Sequence, residues 1–253
     1  MNQKSLLKLS MLILLPLSIM AQKSSTTHFT KADTLRGAIT PGRAWWNLLH
    51  YDIQVQPDLV NKTIKGSVKI QFKVLAKAKP MQIDLQQPLV IDSIFFLGKT
   101  KQNLSFTRNG NVAMVNMPPN LKVNMEGSIL VYYQGIPRAA VRAPWDGGIS
   151  WTKDELGNPF VATSCQGLGA SVWWPCKDHQ YDEPDKGVII SVRVPDTLMN
   201  VSNGRLINTI QHKDATKTFV WQVKEPINNY SVSMNIGKYI RMQDEFIGEA
   251  GKL

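Results

Sequence analysis

The residues of this chain best able to do chemistry crowd into one stretch, Ala162–Lys177, ATSCQGLGASVWWPCK, and the Asp178-His179 that follows it. The stretch holds two thiols (Cys165, Cys176), three hydroxyls (Thr163, Ser164, Ser171), one neutral amide (Gln166) and two indoles (Trp173, Trp174). No helix or strand period runs through it. An irregular, glycine-bearing, aromatic segment inside an otherwise strand-patterned chain typically lines a site or an interface. Zinc on Cys165, Cys176, Asp178 and His179 suits the ligand types, but the spacing fits no standard knuckle. A disulfide between the two cysteines is permitted in an exported protein, and the sequence leaves it open beside two buried free thiols. Ser171 lies in Gly169-Ala170-Ser171-Val172-Trp173, which lacks the second glycine of a nucleophile elbow. The chain has four histidines, and none belongs to an H-E-x-x-H helix.

Other candidates are less specific. Asp146, Asp154, Glu155, Asp178, Asp182, Glu183 and Asp185 supply carboxylates, and glycoside hydrolysis needs two of them across a cleft. Nothing in the spacing places two across a sugar, so turn and surface roles are expected. Trp145, Trp151, Trp173 and Trp174 could stack on carbohydrate, although tryptophan more often fills a core or covers an interface. His179 is expected to be a surface-loop histidine paired with a carboxylate.

The elements that must position this stretch read as strands. Val68–Val74 alternates apolar and polar residues throughout, as do Tyr51, Ile53 and Val55 with their polar neighbours. Ile129–Tyr133, Val188–Val194, Phe219–Val223 and Tyr230–Ile236 continue the pattern. Asn61-Lys62 is a polar turn, and Asn109-Gly110 and Asn203-Gly204 are hairpin signals. About a dozen short strands at this spacing predict an all-β fold, a sandwich or a wide curved sheet. No amphipathic helix, internal repeat or low-complexity linker interrupts it.

Residues 1–21 read as a secretory signal peptide. Lys4 and Lys8 precede the apolar run Leu9–Met20, and small residues lead to Ala21. The run is short for a bilayer, which argues against an uncleaved anchor, and no later segment predicts membrane insertion. The formal charge of +10 is spread over lysines such as Lys65, Lys69 and Lys73 that alternate with apolar residues. That is a solvated strand face rather than a nucleic-acid footprint.

The motifs around the central stretch resemble the N-terminal β domain of the M1 family of zinc aminopeptidases. Thr163-Ser164-Cys165-Gln166 is similar to the family's hydroxyl residue, variable residue and Gln or Glu, and Pro175-Cys176-Lys177-Asp178 to its P-C-x-D. His50-Tyr51-Asp52-Ile53, Gly66-Ser67-Val68, the strand ending at Val194-Pro195, Asn203-Gly204, Pro226-Ile227-Asn228-Asn229-Tyr230 and Ile236-Gly237-Lys238-Tyr239 follow in the family's order. Ala170-Ser171 departs from the family's Ala-Arg, and the loop from His179 to Asp185 is longer than in many relatives.

The resemblance implies a saddle-like β-sheet sandwich at 45–242, after a loose arm at 22–44 and before a connection, 243–253, to a catalytic domain. It implies that Gln166 accepts from the free amine of a bound peptide, with Ser164 and Gly167 beside it at the substrate. An amide oxygen suits an ammonium without adding charge. The G-x-M-E-N loop and H-E-x-x-H are absent from the sequence, so zinc is implied for the full-length family enzyme and not for these residues. The expected partners are the peptide's amino end and a catalytic domain on a longer or separate chain. The resemblance also implies an exposed apolar face towards that domain, including Trp173 and Trp174. Two other readings stand beside it: an exported stand-alone module binding peptide or carbohydrate, and a carbohydrate hydrolase.

Overall fold

The computed structural model describes residues 37–242, Thr30, Asp33, and the backbone of 247–248 and 251–252. The signal segment lies outside the described residues. The chain divides into two units between Thr34 and Leu35. In the first, the Asp33 carboxylate accepts from the Thr30 amide at 2.7 Å and its hydroxyl at 2.6 Å. The second unit carries the β architecture.

Its elements in chain order are a helical turn α1 (Pro41–Ala44), then β1 (Trp46–Asp58), β2 (Thr63–Val74), β3 (Met81–Asp84), β4 (Val90–Leu97) and β5 (Lys101–Leu104). There follow β6 (Phe106–Asn109), β7 (Val112–Val115), β8 (Glu126–Gly135), β9 (Gly148–Lys153) and β10 (Pro159–Ser164). After the central loop come β11 (Val188–Pro195), β12 (Met199–Ser202), β13 (Arg205–Gln211), β14 (Thr216–Val223) and β15 (Met234–Gly237). The all-β expectation holds. The largest sheet has eight strands in the order β13-β14-β11-β1-β2-β8-β4-β5; a second has four, β12-β15-β10-β9; a third has three, β3-β7-β6. One hydrophobic cluster joins their inner faces.

The alternation in the sequence explains which face is inner. Ile64, Val68, Ile70, Phe72 and Val74 of β2 are buried, while Lys65 is exposed and Lys69 and Lys73 are half-buried on the opposite face. In β1 the rule needs help. Trp46 and Leu48 have even parity, and Tyr51, Ile53 and Val55 have odd, yet all five are buried. The register against β2 shifts between Leu48 and His50, so Leu49 is an extra residue. This bulge turns the second half of the strand over and keeps both sets on the core side. β1 also pairs in parallel with β11, Tyr51 opposite Val188, at the centre of an otherwise antiparallel sheet.

Two sequence expectations need correction. Asn109-Gly110 does join a hairpin, β6 to β7, with Gly110 at φ 58°. Asn203-Gly204 does not: it carries the chain from the four-stranded sheet to the eight-stranded one. Gly204 is required there by close approach, since a side-chain carbon would lie 2.1 Å from the Gln222 carbonyl oxygen. The loose arm also ends earlier than expected. Pro41–Ala44 forms a helical turn because proline suits the first helical position, and Arg43 within it is buried.

Gly66 of β2 faces Tyr133 of β8. A methyl group there would lie 2.2 Å from the Gln54 carbonyl oxygen and 3.1 Å from the Tyr133 ring. Gly66→Ala is expected to destabilise the chain by about 1–3 kcal/mol or more through overpacking. Urea denaturation checks this, and an unchanged midpoint would show that the strands can separate at no cost.

Candidate functional site

Ser164 ends β10, and the chain then leaves the sheet as an irregular loop. The Cys165 carbonyl accepts from the Leu168 amide at 3.1 Å and the Gly169 amide at 2.8 Å, closing a tight turn. Gly167 (φ 68°) and Gly169 (φ 87°) take the left-handed backbone this turn demands. Gly169 has a second reason to lack a side chain: a carbon there would lie 2.4 Å from Asp178 Oδ2. The Asp178 carboxylate fills that space. It accepts from the amides of Ala170 (3.2 Å) and Ser171 (3.0 Å) and from the Ser171 hydroxyl (2.6 Å). From behind, Gln86 Nε2 donates to the Leu168 carbonyl at 2.6 Å and contacts Ser171 Oγ at 3.1 Å. Asp178 therefore serves as the loop's internal clasp.

The residues before Asp178 anchor the loop to the fold. Cys176 exchanges both backbone hydrogen bonds with Asp84 of β3, at 2.9 and 3.0 Å. Arg43 donates to Asp84 Oδ2 at 2.7 Å and to the Asp178 carbonyl at 3.3 Å. Burial pushes the Asp84 carboxyl up, and the Arg43 guanidinium opposes that. Lys177 is fully buried. Its ammonium donates to the Trp46 carbonyl at 2.7 Å and pairs with Asp182, lying 4.2 Å from the Trp46 ring centre and 4.8 Å from that of Tyr181. Burial pushes this amine down to about 8, with Asp182 working against the shift. The Asp182 carboxyl is in turn raised by burial and held back by Lys177. Asp182 also accepts from the Leu48 amide at 3.2 Å, beside the β1 bulge. The Lys177 amide donates to Tyr51 Oη at 2.9 Å, and its carbonyl accepts from Asn229 at 2.7 Å.

Above this anchored base the structure places Gln166 and Gly167 on an exposed rim, with Ser164 half-buried at its edge. Ser164 Oγ donates to the Pro144 carbonyl at 2.8 Å, which ties the rim to the loop before β9. That loop is closed by Arg138 and Asp146 at 2.8 Å, and it packs so closely that a carbon on Gly147 would sit 3.0 Å from the Gln166 carbonyl oxygen. It carries Val141 and Trp145, exposed at 86% and 73%. On the other side, the Tyr230 hydroxyl donates to Gln166 Oε1. A cleft of about 320 Å³ opens there, lined by Gly37, Gly167, Gly169, Asp178, His179, Gln180, Asn228 and Tyr230.

The remaining candidates resolve as follows. Trp173 and Trp174 are completely buried, the latter edge-on to Tyr51 at 4.8 Å, so they belong to the core and not to an exposed apolar face. Trp145 and Val141, on the loop that Ser164 binds, are exposed apolar residues. Cys165 and Cys176 are free and buried. Burial pushes the Cys165 thiol up to about 12 and also raises that of Cys176, with Asp178 adding to both. Such thiols are inert packing groups. Ser171 donates to Asp178, the loop's clasp, rather than to a histidine. Asp182 is a buried ion-pair member, contrary to the turn or surface role expected for it, because Lys177 compensates its burial. Asp154 does hold a turn, accepting from the Leu156 and Asn158 amides. His179 meets a carbonyl instead of a carboxylate: Nε2 lies 3.0 Å from the Gly37 oxygen, and Nδ1 accepts from the Tyr181 amide at 3.2 Å. That pattern assigns the proton to Nε2.

Among the described residues no group of three or more His, Cys, Asp or Glu side chains could hold a metal ion. The described residues thus offer no fit for zinc. Another cavity, of about 530 Å³, lies elsewhere, on the wet face of the eight-stranded sheet around Gln54, Ser67, Tyr132 and Ser191. Several of its polar members have protein partners: Gln134 binds Asp92 at 3.0 Å, Arg193 binds Asp214 outside the lining at 2.6 Å, and His212 meets Thr218 at 2.8 Å. We read it as a solvated sheet face.

Lys177→Met should cost about 3–5 kcal/mol, because it leaves the Asp182 carboxylate buried without a partner. The double replacement Lys177→Met with Asp182→Leu should cost less than the single one. Urea unfolding of the three proteins checks the order, and a single variant as stable as the wild type would remove the pair's importance.

Comparison with known proteins places this geometry. Residues 47–230 match the Peptidase M1 N-terminal domain. The M1 zinc metallopeptidase from Deinococcus radiodurans, in a mutant form bound to a Tyr-Ser-Ala substrate, superposes with a TM-score of 0.67 at 18% identity, over 84% of this chain and 47% of that one. A further structure of that M1 zinc metallopeptidase gives 0.62 at 18%, over 76% and 42%. Native leukotriene A4 hydrolase from Saccharomyces cerevisiae gives 0.59 at 18%, over 77% and 29%. A search of curated proteins found no match. At these identities the solved structures establish the fold alone, and the chain spans less than half the length of each. The match over 47–230, with the sheets and motif contacts described above, shows that the chain belongs to the M1 peptidase family through its N-terminal domain.

Proposed function

We propose that this chain is the substrate-recognition part of an exported zinc metallo-aminopeptidase, holding the amino end of a peptide while a separate catalytic domain supplies zinc and hydrolysis. The observation that carries the reading is the position of Gln166. It stands exposed on a rim whose base is fixed by buried ion pairs, and the motif Thr163–Gln166 resembles the one that carries the family's Gln or Glu. Its amide oxygen can accept from a free ammonium. Ser164 and Gly167 shape the rim on either side. The exposed Val141 and Trp145, on the loop bonded to Ser164, offer apolar area for the catalytic domain to cover. That the Deinococcus relative was captured with a Tyr-Ser-Ala substrate supports peptides as the substrate class.

Export rests on the signal-like residues 1–21. The mature protein is expected outside the cytoplasm with its amino end just after Ala21, which cell fractionation and amino-terminal sequencing check; a cytoplasmic protein retaining Met1 would refute it.

The recognition role is tested on the purified 253-residue chain. It should bind peptides with a free amino terminus in preference to their N-acetylated forms, and Gln166→Ala should erase the preference. With added zinc it should release no chromophore from amino-acid anilides. Efficient anilide cleavage would overturn the division of labour, and binding indifferent to acetylation would overturn the role of Gln166.

A further inference from the structure

Gln166 does not stand alone on its rim. Tyr230 lies on a short 3-10 turn, Asn229–Ser231, that is fixed from several directions. Asn228 Oδ1 accepts from the Tyr230 amide at 3.0 Å, Asn229 is buried against the Lys177 carbonyl at 2.7 Å, and Asn203 Nδ2 donates to the Ser231 carbonyl at 3.0 Å. The phenol therefore reaches Gln166 from a held backbone. It is 39% exposed and lines the cleft that Gly167 and Asp178 also line.

The single proton of the phenol is committed to Gln166 Oε1. Two consequences follow from hydrogen-bond inventory. The amide oxygen keeps one lone pair for another donor. The phenol oxygen, its proton already used, presents only lone pairs to anything else. The pair is thus two oxygens side by side that can both accept, joined by a bond that an approaching cation would strengthen. Asp178 lines the same cleft, and among its described lining residues there is no lysine or arginine, which favours a cation.

We propose that Tyr230 and Gln166 form one ammonium-binding unit, in which the phenol oxygen is a second direct acceptor for the amino end of the substrate. This rests on the amine-recognition reading of Gln166. It adds a binding residue that lies 64 positions away in sequence and on a different element. It also explains why a neutral amide suffices here: the phenol both orients the amide oxygen and shares the load.

The test titrates the 253-residue chain with L-leucinamide and with its N-acetyl derivative, followed by NMR. In the wild type, leucinamide should move the Tyr230 ring and Gln166 side-chain amide resonances, and the acetylated probe should move neither. Tyr230→Phe should weaken leucinamide binding about tenfold or more, the loss of one hydrogen bond to a charged group. Its melting temperature should stay close to that of the wild type, since phenylalanine retains the ring. A Tyr230→Phe variant binding leucinamide as tightly as the wild type, while Gln166→Ala has lost binding, would overturn the phenol's role and leave the reading of Gln166 intact. If Gln166→Ala also binds normally, or if the wild type ignores acetylation, the underlying reading fails and the proposal with it. Should Tyr230→Phe fold poorly, wild-type Tyr230 ring resonances that stay unmoved by leucinamide would be sufficient to reject the proposal.

Discussion

A lysine ammonium shut away from water is the constraint on which this domain turns. Lys177 cannot be buried without an anion, acceptor oxygens and polarisable faces around it. Asp182, the Trp46 carbonyl and the rings of Trp46 and Tyr181 supply all of these. Meeting those needs forces three parts of the chain into one place: the start of β1, the loop after β10, and the approach to β11. The Arg43–Asp84 pair does the same for α1, β3 and the far side of that loop. Such pairs contribute less to net stability than to selecting one arrangement, because every competing arrangement strands a charge.

The consequence for the rim is geometric. A loop rich in glycine and small residues would ordinarily sample many conformations. Here many of its carbonyls and amides are held, by Asp178 inside, Gln86 behind, and Cys176 bonded to Asp84 below. Only the outward side chains are left unrestrained by burial, and Gln166 is one of them. The conformational cost of presenting an acceptor is met by the fold before any ligand arrives, as preorganised recognition requires.

Much of this was legible in the sequence. Period-two alternation located the long strands, and the run of short motifs in order pointed to the family. Other features were hidden for identifiable reasons. The bulge at Leu49 breaks parity inside an apolar run, where either phase looks equally good. Arg43, Lys177 and Asp182 were invisible as core residues because a charged side chain reads as solvent-facing until its partner is known, and Asp84, the partner of Arg43, comes from another element. Trp173 and Trp174 read as interface residues because their loop looked exposed, yet the loop folds inward under Asp178. Tyr230 was seen as part of a motif, but its reach to Gln166 depends on a turn whose position only the assembled sheets define. The 45–242 stretch announced its strands; the ionic base beneath the loop did not announce itself at all.

The parallel pairing of β1 with β11 carries a last implication, for the order of events as the chain is made. Leu48 and Asp182, which meet beside that pairing, are 134 residues apart. Until β11 emerges, the first strand has β2 on one flank and a bare edge on the other, rich in buried-type residues. The nascent polypeptide therefore carries an open, adhesive border until residues 134 positions downstream arrive, and contacts this remote form late. A holding factor that shields such borders, or a translocation route that keeps the chain extended, would suit this topology better than folding from the amino end alone.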